Sequence, residues 1–132
     1  DYVKQIQLNS KKLSSDLVDL GFNIVSGGTD NHLLLIDLRN KNITGKDAEI
    51  SLGKANITVN KNMVPYDEQS PFVTSGIRIG TPAITTRGLK EEDMGFVAES
   101  INDVINSYEN DEKLNSISDN VKLEMKDRPL FA

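Results

Sequence analysis

The sequence predicts an α+β domain, a small mixed or antiparallel sheet covered by helices. Apolar residues recur at helical spacing towards both ends, in DYVKQIQLNSKKLSSDLVDL (1–20), KEEDMGFVAESINDVINSYE (90–109) and EKLNSISDNVKLEMK (112–126). Between them lie short runs rich in aliphatic residues, FNIV, HLLLIDLR, ITVN and GIRIG, bounded by glycine, proline and asparagine. The length of 132 residues suits one domain with a single core.

Each element follows from a local pattern. Val3, Ile6, Leu13, Leu17 and Leu20 mark the stripe of a first helix, and Gly21 stands where a C-terminal cap is expected. FNIV and HLLLIDLR, separated by Gly27-Gly28-Thr29-Asp30-Asn31, read as neighbouring strands. Thr44, with Asp47 three residues on, reads as the N-cap of a helix running to about Asn56, with ITVN following as a short strand. A long loop from Lys61 to Ser75 carries Pro65 and Pro71, then comes the strand Ile77–Ile79. After Thr81-Pro82 and the Arg87-Gly88 turn, a helix with an acidic first turn carries Met94, Val97, Ile101, Val104 and Tyr108 on one stripe. A last helix, roughly Glu112 to Lys126, repeats the pattern with Leu114, Ile117, Val121 and Met125.

Composition excludes several classes of function. A net charge of −5 argues against nucleic acid or an anionic membrane as partner. The absence of cysteine removes disulfides, thiol nucleophiles and thiolate metal sites, and a single histidine, His32, cannot build a histidine-rich metal centre. No apolar run approaches the roughly 20 residues that span a bilayer, and with no targeting segment visible a cytoplasmic protein is the expectation. Two Asn-Ile-Thr triplets, at Asn42 and Asn56, fit the glycosylation pattern but read as chance occurrences. The start at Asp1, inside a helical pattern, leads us to expect a piece of a longer polypeptide.

The residue that raises a chemical question is Arg78. In Gly76-Ile77-Arg78-Ile79-Gly80 the isoleucines share one face of a strand, while Arg78 shares the other with two glycines that would let another molecule approach. A buried or half-buried guanidinium needs an anion, and its planar fork fits a carboxylate. That carboxylate is either a small ligand or an acid of the same fold. The loop VNKNMVPYDEQSPF leaves two readings as well. Its asparagines, Asn60 and Asn62, and its Ser70-Pro71-Phe72 could edge and wall a flat heterocycle, or it is a polar surface loop with Phe72 as a buried anchor. His32 reads as structural, and Asp47 and Glu49 as helix-start charges.

At these residues the chain resembles serine hydroxymethyltransferase, in its C-terminal small domain. SGGTDNHL (26–33), TGKDAE (44–49), ITVNKN (57–62) and SPFVTSGIRIGTPAITTRG (70–88) carry the resemblance in order. It implies a pyridoxal-phosphate enzyme of fold-type I, the aspartate-aminotransferase-like class, which interconverts serine and glycine and passes a one-carbon unit to tetrahydrofolate. It also implies that Arg78 binds the substrate carboxylate. The folate site would take Asn62 for the pterin, together with Ser70, Pro71 and Phe72, and Lys61 would attract the glutamyl tail. The stretch holding the family's Schiff-base lysine has no match here. The resemblance therefore implies that the pyridoxal-phosphate pocket and catalytic groups lie in a large domain outside this chain, and that the parent is a homodimer or tetramer. The chain alone should fold without catalysing. Alternatives are a stand-alone small-carboxylate-binding α+β module and a structural domain with Arg78 paired internally.

Overall fold

The computed structural model describes residues 2–25, 33–80 and 88–125. The readings at His32, at the 27–31 turn and at Thr81, Pro82 and Arg87 lie outside these residues. Helix α1 (Tyr2–Asp19) ends as its sequence predicts, with Gly21 at φ 90° and Phe22 N–H donating to Leu17 O at 3.0 Å. Its buried face differs from the predicted stripe. Val3 is 61% exposed, whereas Asn9 and Ser10 are buried with Leu13, Ser14 and Leu17. A buried amide is tolerated when both ends are bonded. Asn9 Nδ2 donates to Leu89 O at 2.9 Å, and Asn9 Oδ1 accepts from Gln5 Nε2 at 2.9 Å.

Strands β1 (Asn23–Ile24), β2 (Leu33–Asp37), β3 (Asn60–Asn62) and β4 (Gly76–Gly80) form one sheet in the order β1-β2-β4-β3, and every pairing is antiparallel. The mixed-or-antiparallel expectation thus resolves to antiparallel. Helix α2 (Gly45–Lys54) joins β2 to β3, with Thr44 accepting from Asp47 N–H at 3.2 Å as its N-cap.

β3 lies further along the chain than ITVN. The end of α2 takes up the residues between: Asn56 adopts φ 66°, and Ile57 N–H reaches back to Leu52 O at 2.8 Å. Ile57 and Val59 then serve as core plugs instead of strand residues.

A short 3-10 turn (Glu91–Asp93) carries the acidic run, and its Asp93 carboxylate accepts from Lys90 N–H at 2.8 Å. Helices α3 (Met94–Asn106) and α4 (Asp111–Met125) follow, burying Met94, Ile101, Val104, Leu114 and Val121 as their spacing predicts. The helices pack their apolar faces onto Leu34, Ile36, Ile77 and Ile79, which share one face of the sheet. Among the described residues no helix packs on the other face. Leu35 is half-buried there, while Asn60 and Arg78 are exposed.

Candidate functional site

The open face is organised in rows by the strand register. Leu35, Arg78 and Asn60 oppose one another across β2, β4 and β3, and the next row is Asp37, Gly76 and Asn62. Opposed side chains on one face stand about 5 Å apart at Cβ, so Asn60 flanks Arg78 directly and Asn62 lies one row away. Arg78 is exposed rather than buried, because the helices pack only on the isoleucine side.

The internal-pair reading of Arg78 can be judged by charge. Among the described residues, the one carboxylate on these strands that shares its face is Asp37, and Asp37 is already held. Arg39 Nη2 lies 2.6 Å from Asp37 Oδ2, Arg39 Nε donates to Oδ1 at 3.0 Å, and the Arg39 backbone N–H donates to Oδ1 at 3.0 Å. These bonds from Arg39 keep the Asp37 carboxyl below its ordinary pKa against the opposing effect of burial. The described residues form no ion pair with Arg78.

The 63–75 loop folds back onto this same face. A Cβ on Gly76 would stand 2.6 Å from Val64 Cγ1 and 2.8 Å from Ile36 O, so the room beside that glycine is filled by the chain itself. This corrects the expectation of an open approach at Gly76. Arg39 reaches from Asp37 to the carbonyls of Pro65 and Tyr66, at 3.4 Å each. The loop therefore lies along the Asp37–Gly76–Asn62 row, next to the row that holds Arg78.

Asp67 holds the loop together. Its Oδ2 accepts from Ser75 N–H at 2.8 Å and Val64 N–H at 3.2 Å, and its Oδ1 from the Ser75 hydroxyl at 2.7 Å and Gln69 N–H at 2.9 Å. Burial pushes this carboxyl up, but the Ser75 hydroxyl and the three N–H donors outweigh it and bring the pKa down to about 2. A depressed carboxylate stabilises the fold fully above its ordinary value of 3.8, and loses that contribution as pH falls towards about 2. Asp67→Asn presents an amide to those donors and should cost about 2 kcal/mol near neutral pH. In thermal melts, the gap between wild type and variant should shrink from pH 5 to pH 2; a gap that holds constant would assign the loss to something other than the charge.

Beyond Asp67, the loop turns at Ser70, whose carbonyl accepts from Val73 N–H at 3.0 Å and Thr74 N–H at 2.9 Å. Pro71 is exposed and Phe72 is 81% exposed, so Phe72 is not a buried anchor. Thr74 sits at φ 60°, unusual for a β-branched residue. Its carbonyl and that of Val73 accept from Gly45 N–H at 3.1 Å and Lys46 N–H at 2.9 Å. The N-terminus of α2, otherwise a ready phosphate cradle, is thereby filled.

The strand register puts Arg78 and Asn62 on one side of the sheet and Lys61 on the other, while the Ser70–Phe72 turn lies on the loop that enters β4. Lys61 faces α2, where its backbone N–H donates to Glu49 Oε2 at 2.8 Å and its Nζ lies 3.9 Å from Glu49 Oε1. Asp67 and Arg39 escaped the sequence reading. The only signal for Asp67 was an aspartate just after a proline turn, a pattern that also marks ordinary turns. The sequence model of the family described as serine hydroxymethyltransferase matches residues 1–101. That match spans most of the chain, including both rows of the open face and the loop beside them, and the chain belongs to the serine hydroxymethyltransferase family.

Proposed function

We propose that this chain is the C-terminal small domain of a serine hydroxymethyltransferase of fold-type I, the aspartate-aminotransferase-like class. In this reading it holds the carboxylate of serine or glycine and part of tetrahydrofolate against a large domain of the same polypeptide, in a homodimer or tetramer. The observation that carries the reading is Arg78: an exposed guanidinium whose one same-face carboxylate on the described strands, Asp37, is already bound by Arg39. Two parallel N–H···O bonds from Arg78 would fix the substrate carboxylate and with it the orientation of Cα. This is catalysis by positioning, with no proton transferred by Arg78.

Asn62 offers a donor and an acceptor for a heterocycle edge, and Ser70, Pro71 and Phe72 present a polar corner and an aromatic ring. In this reading the large domain holds the pyridoxal phosphate, and this chain contributes the substrate-facing wall; consistent with that division, the N-terminus of α2 is occupied by Val73 O and Thr74 O.

The test uses the full-length enzyme. Glycine should change the cofactor's visible absorbance, tetrahydrofolate should enhance that change, and Asn62→Ala should weaken the folate response while leaving the glycine response. Loss of both responses to Asn62→Ala would count against a folate-specific role. The 132-residue chain alone, given pyridoxal phosphate and tetrahydrofolate, should show no serine cleavage. Steady turnover would sink the small-domain reading.

A further inference from the structure

Tyr66 is the most exposed large apolar side chain among the described residues, at 95%, yet its backbone carbonyl is bonded by Arg39. Val64-Pro65-Tyr66-Asp67 is a closed turn, with Asp67 N–H donating to Val64 O at 3.1 Å. Tyr66 occupies its third position at φ 58°, where glycine or asparagine is the ordinary occupant. The turn is pinned on both sides. Arg39 donates to the carbonyls of Pro65 and Tyr66 at 3.4 Å, and the Asp67 carboxylate gathers Val64, Gln69 and Ser75. A strained backbone that presents an uncovered ring is a cost to the folded chain without return from its own contacts.

The location supplies the return. Val64, the first residue of this turn, lies against Gly76 on the Arg78 side of the sheet, in the row that also holds Asn62. Tyr66 follows Val64 by two residues, so its turn adjoins the row that holds Asn62, and Phe72 stands exposed on the same loop at 81%.

We propose that Tyr66 is a ring platform for the aromatic portion of the folate co-substrate, and that the strained turn exists to present it. The inference rests on the small-domain reading above and adds to it a residue that sets affinity for the folate and not for the amino acid. A flat ring stacked on tyrosine gains both burial and offset-stacking attraction, with few rotatable bonds to restrain.

The test is steady-state kinetics of the full-length enzyme with Tyr66→Asn and Tyr66→Phe. Asparagine suits the left-handed backbone and removes the ring; phenylalanine keeps the ring and removes the hydroxyl. Tyr66→Asn should raise the KM for tetrahydrofolate about five- to ten-fold, leave the KM for serine unchanged, and melt at or above the wild-type temperature. Tyr66→Phe should stay within about two-fold of wild type in every constant.

An unchanged folate KM in Tyr66→Asn would overturn the proposal. A rise in both KM values together with a lower Tm would also overturn it, by making the ring a contact between domains. Arg78→Ala, run alongside, separates the layers: if it leaves the serine KM unaltered, the small-domain reading itself has failed, whatever Tyr66 does.

Discussion

Arg78→Ala in the full-length enzyme is expected to lower kcat/KM for serine by roughly 30- to 1,000-fold, equivalent to about 2–4 kcal/mol of lost charge-assisted binding. The estimate follows from chemistry and exposure together. In the open face the guanidinium is solvated, and it forms no ion pair with a described acid. When a substrate carboxylate and a second domain close over it, the two N–H···O bonds operate away from water, where removing one partner is costly. Arg78→Lys should fall between wild type and alanine, since an ammonium supplies charge without the planar fork.

The same substitution should leave the folding stability of the 132-residue chain within about 0.5 kcal/mol of wild type, as is usual for exposed positions. Urea melts would check this. A loss of about 3–5 kcal/mol, the consequence of breaking a buried pair, would make Arg78 a structural residue.

Gly45→Ala should be the most disruptive single-atom addition near the site, costing about 3 kcal/mol or more. A Cβ there would fall 2.0 Å from Thr74 Oγ1 and 2.3 Å from Gly76 O. Neither neighbour can yield easily. Thr74 Oγ1 donates to Gly76 O at 3.1 Å, and Gly76 opens β4 two residues before Arg78. Relief of the clash must part α2 from the 63–75 loop, breaking the bonds from Gly45 N–H and Lys46 N–H to that loop.

For a domain of this size the melting temperature should drop by about 10 °C. Gly53→Ala is the control. Nothing lies within 4 Å of its added Cβ, and in the last turn of α2 it should stabilise by about 0.5–1 kcal/mol. Equal effects at the two glycines would show that helix propensity, and not the clash with Thr74 and Gly76, controls the outcome.

Local patterns in the sequence were enough for the α+β class, the apolar stripes of α3 and α4, the Thr44 cap and the Gly21 stop. In each case the cause is local: periodicity, a side chain that bonds its own helix end, or a residue that tolerates positive φ. The membership in the serine hydroxymethyltransferase family was legible too, since long runs such as SPFVTSGIRIG keep their order along the chain.

Three features depended on partners that local propensity does not reveal. Asn9 looks like a surface residue until Leu89 O, 80 positions away, satisfies its amide. ITVN has strand propensity, but its first residue is drawn into the cap of α2 by Leu52 O, which moves β3 on to Asn60. Arg78 sits in a run of isoleucines that predicts burial, yet only tertiary packing decides which face of a strand receives helices. Here they cover the isoleucine side. The sequence determined which residues alternate around Arg78, and the bonds of Asp37 to Arg39 and of Asp67 to its own loop span no more than eight residues. Only the packing decided which side of the sheet the described helices cover, because that side is chosen by contacts of α1 and α2 with strands far from them in the chain.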